Sequence, residues 1–339
     1  MEPYKSTRSI YLELVTTTGF LCTTLLIIWI TTFGLNTWIE ALNKYYAVAI
    51  TMIFGSFVAG STPLGGGAVA FPIMTKLFNI SAHDSQLFSL AIQSAGMTSA
   101  SILILIRNIN QPYKIMLAYL FGVLIGFMFF HYGLSSVIIE SEIRTISSIC
   151  IALFVIVFTI QHWRPPDQFN NICLSSPLIY ILIIAFGIMG GMISRGVGYG
   201  ADLMIFTLLR LVLGFEFKQS IQASVIVMAI TSLLGIVFQK YTHGIPDQVL
   251  QFWYAAAPIV IFGAPIGALF CSLINDNILF FFIIVLSIVE VITTIITVPV
   301  STNIIYYISM MLIIALMTRY CIKIVSYNVK FRVTKLDIK

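Results

Sequence analysis

Arg195 and Asp202 flank the sequence GVGYG inside one of the most apolar regions of a very apolar chain. Ionisable groups in such surroundings are costly, and they are kept for function or for pairing with one another. A guanidinium offers a planar fork of donors that suits an oxyanion. Three roles are open to Arg195: contact with a small anion, an internal pair with Asp202, or snorkelling to an interface. Asp202 is also a proton-coupling candidate. Glu290, in the middle of FFIIVLSIVEVITTIITV, is a second such candidate. Its competing role is that of a neutral, hydrogen-bonded structural acid, since burial favours the uncharged form.

The glycines around these charges suggest what they serve. Gly60 to Pro72 reads GSTPLGGGAVAFP, and Gly187 to Gly200 reads GIMGGMISRGVGYG. Both stretches interrupt apolar runs. Irregular backbone at membrane depth survives only where it is buried in protein or lines a wet cavity. Broken helices near the bilayer midplane are how many transporters present backbone groups to a substrate. Gly65, Gly66 and Gly67 let backbone approach a ligand closely, with Pro72 closing the motif. Gly196, Gly198 and Gly200 are the second set. The amides that open the following helices suit an anion. The competing role for the glycines is close helix packing. Polar side chains follow each break: Ser89, Gln93 and Thr98 after the first, Ser224 and Thr231 after the second. Hydroxyls and amides can replace the waters of an oxyanion, or simply join helices to one another.

Other chemistry is not indicated. The five cysteines are dispersed with no CxxC, and the four histidines show no HExxH spacing, so no metal site is expected. A clustered His/Cys/Asp metal set and a GxSxG nucleophile are both lacking. The expectation is no enzyme, no cofactor and no nucleic-acid partner. The expected partners are a small anionic substrate, a proton, the lipid bilayer and, compatibly with the sequence, further copies of the chain.

The elements that must carry these residues follow from composition. Of 339 residues, 59% are hydrophobic and 9% charged, and the mean hydropathy is +1.01. Soluble domains carry about 25% charged residues. Continuous apolar runs of about 20 residues are membrane helices, and their continuity excludes a barrel. The fold class is all-α, a polytopic membrane protein. Apolar segments are expected near 12–33, 45–61, 66–78, 83–107, 112–133, 142–162, 177–194, 200–213, 216–241, 247–274, 277–299 and 303–325. The linker QHWRPPDQFNNICLSSP divides the chain. The domain bounds are 1–44 for the tail and first helix, 45–163 for a first repeat and 164–176 for the linker. A second repeat covers 177–300, and 301–339 holds a last helix and a basic tail. An offset of 133 residues aligns Gly67 with Gly200, Gln86 with Gln219 and Thr98 with Thr231, as expected for a duplication. The segments after the breaks, about 13 residues long, rise about 20 Å, short of the bilayer core. If each forms a re-entrant hairpin with its predecessor, there are about eight crossings and the halves are inverted. If the predecessors span alone, the halves are parallel. Inversion is favoured here. Cations gathered near both termini place both ends in the cytoplasm by the positive-inside rule, for a multi-pass protein of the cytoplasmic membrane.

At these residues the chain resembles the sulfite exporter TauE/SafE family of permeases. GGGAVAFP followed by SLAIQSAGMTSAS matches the first copy of that family's duplicated signature. GIMGGMISRGVGYGADL keeps the spaced glycines of the second copy but has no proline between Leu203 and Leu208. The resemblance covers about residues 45–300. It implies secondary transport of a small, often sulfur-containing anion such as sulfite or an organosulfonate. It also implies that Gly65, Gly66, Gly67, Pro72, Ser89, Gln93 and Thr98 form one half of the site, with Gly196, Gly198, Gly200, Ser224 and Thr231 in the other.

Overall fold

The computed structural model of the protein describes residues 7–107, 110–134 and 177–297, together with 143, 151, 154 and 159. The described elements are all helical. The first half holds α1 (Thr7–Phe33), α2 (Leu35–Ser61), α3 (Gly67–Pro72), α4 (Ala82–Ile106) and α5 (Tyr113–Phe129). The second half holds α6 (Pro177–Val197), α7 (Ala201–Phe206), α8 (Phe217–Thr242), α9 (Asp247–Leu273) and α10 (Asp276–Thr297). The segments expected at 142–162 and 303–325 fall almost wholly outside the described residues. The segment expected at 45–61 is the later part of a longer helix. α2 begins at Leu35 and is interrupted by non-helical dihedrals at Tyr45.

The two halves share local detail as well as element order. α3 runs on into a wide π-turn at Ile73–Leu77, and α7 into one at Thr207–Val212. Phe78 N donates to Ile73 O at 3.1 Å and Ile80 N to Met74 O at 2.9 Å, while Leu213 N donates to Leu208 O and Phe215 N to Leu209 O, both at 2.9 Å. Pro72 lacks the N–H that a tight ladder needs. The second turn is equally wide without a proline, so the missing Pro in the second copy costs it nothing in geometry.

Contacts between helices fix their directions. Tyr45 meets Phe252, Gly263 lies on Ser56, and Gly60 lies on Ala264 and Ala268, so α2 and α9 run the same way. Phe88 meets Phe252, Trp253 Nε1 donates to Ala91 O, and Gly96 lies on Val260, so α4 runs with them. Since α2 and α4 are parallel, the chain doubles back through α3. In the second half Gly187 lies on Tyr119, Gly191 on Val123 and Gly196 on Phe130, aligning α6 with α5. Phe127 meets Phe238 and His131 meets His243, aligning α8 with α5. The chain therefore doubles back through α7 too. The two groups oppose each other: Ser101 Oγ donates to Val225 O, and Gly235 lies on Leu90, so α4 and α8 are antiparallel.

Small residues make these approaches close. A methyl group on Gly267 would overlap the Phe57 carbonyl, and one on Gly187 the Tyr119 carbonyl. Close backbone approach of this kind is how helices associate in lipid, where no hydrophobic drive separates helix from solvent. The outer surface is apolar: Phe20, Leu117, Phe121, Ile181 and Phe281 are all exposed. Among the described residues seven helices are long and apolar enough to cross a membrane, α2 included, whereas Gly67–Leu77 is too short.

Candidate functional site

The two breaks meet. After α2 the chain turns at Gly65, whose φ of 68° is a left-handed conformation that favours glycine. A methyl group there would overlap Asp202 Oδ2 and come 3.0 Å from Gln93 Oε1. One added to Gly67 would stand 2.6 Å from Gln93 Nε2 and 2.6 Å from Tyr199 Cβ. Two α4 side chains, one turn apart, tie the second break into the same junction. Gln93 Nε2 donates to Gly198 O at 2.6 Å and to Ser89 O at 3.0 Å, and Ser89 Oγ donates to Gly198 O at 3.2 Å. A cavity of about 10 Å³ beside Gly66 is lined by Gln93, Gly96 and Val260. That is the size of one water at most.

The backbone amides of the second break are occupied by the protein itself. Gly200 N and Leu203 N donate to Asp202 Oδ1 at 2.9 and 3.0 Å, and Ala201 N donates to Ser194 Oγ at 2.9 Å. Tyr119 OH donates to Ala201 O at 2.8 Å. These bonds leave two buried acceptors with no donor, Asp202 Oδ2 and Gln93 Oε1.

Arg195 points away from this junction and is not paired with Asp202. Its Nη1 donates to Gln86 Oε1 at 3.3 Å and its Nη2 to Gln239 Oε1 at 3.1 Å. Nη2 also lies 3.1 Å from His131 Nδ1, and the guanidinium sits over the Phe127 ring. The residue is 8% exposed, and among the described residues no carboxylate forms an ion pair with it. Here the atoms left over are donors: Arg195 Nε and Gln86 Nε2. The cluster opens outward through half-buried His131, whose ring lies 5.3 Å from that of exposed His243. Gln86 and Gln93 are two turns apart on α4, so the two clusters lie about 10 Å apart.

The remaining expected site residues fall elsewhere. Gly66 packs on Ala59, and Gly196 faces the Phe130 ring. Gly200, at φ 125°, abuts Ile193. Pro72 is buried inside its short helix. Thr98 Oγ1 is buried without a partner. Ser224 Oγ and Thr231 Oγ1 bond to carbonyls of their own helix. Thr231 also borders an apolar cavity of about 300 Å³ with Phe127, Leu234 and Phe238. The Glu290 side chain lies outside the described residues. Among the described residues no cluster of three His, Cys, Asp or Glu could hold a metal ion.

Sequence reasoning missed Gln86, Gln239, His131, Ser194 and Tyr119 as site residues. Gln86 carried the one available signal, one turn before Ser89 and aligned with Gln219. Gln239 and His131 come from distant segments, and no spacing rule joins them to Arg195.

The family described as Sulfite exporter TauE/SafE matches residues 47–318. That span includes both breaks, α4, α8 and the Arg195 cluster. No curated protein and no solved structure matches the chain.

Proposed function

Since the chain belongs to the sulfite exporter TauE/SafE family, a family of membrane transporters for sulfite-type anions, we propose that it is a secondary transporter. It moves a small sulfur-containing oxyanion, such as sulfite or an organosulfonate, across the cytoplasmic membrane by alternating access. The observation that carries this reading is the Arg195 cluster. An uncompensated buried cation costs several kcal/mol, and each buried orphan donor adds about 1–3 kcal/mol. An oxyanion taking Arg195 Nε and Gln86 Nε2 together relieves all of these costs. His243 and then His131 line its way in. The guanidinium is the selective element, because its fixed positive charge and its free Nε–H favour an anion over a neutral solute.

The glycine junction serves as the gate in this reading. Gly65, Gly67, Gly198 and the side chains of Ser89 and Gln93 close the route past Arg195. Opening requires the two doubled-back units, α2–α3 and α6–α7, to part. The opposed directions of α4 and α8 fit inverted repeats with two re-entrant hairpins. An inverted pair exchanges its inward and outward forms by rocking about one site. Gly66, Gly196, Gly200 and Pro72 shape the moving units, and Thr98, Ser224 and Thr231 support the helices behind them.

Sulfite flux in proteoliposomes tests this. Arg195→Gln keeps a shorter amide donor but removes the charge, and is expected to lower uptake at least tenfold. Arg195→Lys is expected to retain part of it. Wild-type protein should also concentrate sulfite above the external level when a gradient is imposed. Flux that only equilibrates, or that is indifferent to Arg195→Gln, contradicts the proposal.

A further inference from the structure

The orphans at the gate have the opposite sign from those at Arg195. Asp202 Oδ2 and Gln93 Oε1 are both acceptors, both buried, and both without a donor. Both converge on Gly65, because a single methyl position there would overlap the first and stand 3.0 Å from the second. Turning the Gln93 amide over would not help. Its Nε2 serves the carbonyls of Ser89 and Gly198, and a flipped amide would set its oxygen against both. Two lone-pair oxygens that converge in a dry site repel each other unless something positive stands between them.

We infer that one proton occupies this gap: Asp202 is a carboxylic acid in the closed gate, and its Oδ2–H donates to Gln93 Oε1. The step is a simple association, in which a carboxylate takes a proton from water and no other bond changes. Its effect is structural. Gln93 already grips Gly198 of the second break, and Asp202 belongs to the helix that follows it. With the proton present, α4, the second break and α7 are held by one continuous chain of hydrogen bonds, and the first break packs against it at Gly65 and Gly67. Without it, a carboxylate and an amide oxygen crowd together beside Gly65 and push α7 away from α4, which loosens the junction of the two breaks. The gate would open on deprotonation, and transport would be coupled to proton movement.

The surroundings leave Asp202 as the group that responds. From α5 the titratable side chain facing it is Tyr119, whose hydroxyl donates to Ala201 O. From α6 come Ser194 and Arg195, the latter turned to Gln86 and Gln239. α4 presents Ser89 and Gln93, and the buried polar residues of α8 are uncharged. A sodium ion would need more oxygen ligands than the two free here, and the Gly65 backbone crowds that space.

The role of the proton as coupling ion rests on the transport reading, but its presence does not, so two measurements separate them. Infrared spectra of the purified protein in nanodiscs at neutral pH should contain the carbonyl band of a neutral carboxylic acid. That band should vanish in Asp202→Asn and shift upward in Gln93→Leu, which removes its acceptor. Asp202→Asn imitates the protonated form, since its Nδ2–H can donate to Gln93 Oε1, and it is expected to fold. It should bind sulfite in a thermal-shift assay within about twofold of wild type, while losing more than tenfold of its transport. A wild-type spectrum without the Asp202-dependent band overturns the proposal. So does sodium-dependent stabilisation abolished by Asp202→Asn, which would make the occupant a metal ion. Loss of sulfite binding in Arg195→Gln but not in Asp202→Asn supports both readings. Absence of sulfite binding in wild type with the band intact refutes only the transport reading.

Discussion

At the residue scale the protein separates two kinds of unmet hydrogen-bonding need. Arg195 and Gln86 have spare donors, and Asp202 and Gln93 have spare acceptors. Burial makes each such group costly by about 1–3 kcal/mol, a cost that the proposed anion and proton would offset. Gly65 is the residue on which the second pair depends. Gly65→Ala forces a side chain into a left-handed conformation, at about 1–2 kcal/mol, and drives its methyl into Asp202. The variant is expected to melt several degrees lower than wild type in a scanning fluorescence assay and to leak sulfite in the absence of a proton gradient. A variant that melts and transports as wild type would mean that Gly65 does not set the gate. Arg195 was legible in the sequence because charge at membrane depth is conspicuous. Its partners were not, since amide side chains are common and carry no spacing signature.

At the element scale, most helix positions were written in the hydropathy of the chain. The expected segments 83–107, 216–241 and 247–274 agree with α4, α8 and α9 to within one or two residues. The early start of α2 was hidden, because NTWIEALNKYY is polar enough to look like a loop, and its packing is decided by tertiary contacts beyond Tyr45. The glycines proved to have two distinct uses. Gly65, Gly67 and Gly198 crowd the junction of the two breaks, whereas Gly60, Gly187, Gly191 and Gly267 bring helix backbones together. Sequence spacing alone left those two uses unresolved. Gly267→Leu would place a large side chain against the Phe57 carbonyl, and overpacking costs about 1–3 kcal/mol or more. A sharp loss of monodisperse protein after detergent extraction is expected, with Gly19→Leu unaffected because nothing lies within 4 Å of that position.

At the scale of the whole molecule the two halves exchange partners. α9, from the second half, packs on α2 and α4, and α5, from the first half, packs on α6 and α8. Each doubled-back unit thus leans on a helix supplied by the other half. A chain cut within 164–176 should therefore accumulate in the membrane only when both pieces are produced together. Either piece made alone should be degraded, as followed by immunoblot of membrane fractions. Survival of one piece by itself would mean that the halves are independent units.

The sequence by itself determined that this is a helical membrane protein with two glycine breaks, because hydropathy and backbone permissiveness are properties of each residue in its own segment. Tertiary structure alone decided which charges meet. Arg195 and Asp202 are seven positions apart in the chain, yet the turn at Gly198 and Gly200 sends them to different clusters. Direction is lost to sequence at such a turn: a left-handed glycine can send the chain several ways, and only packing against α4 and α8 selects one.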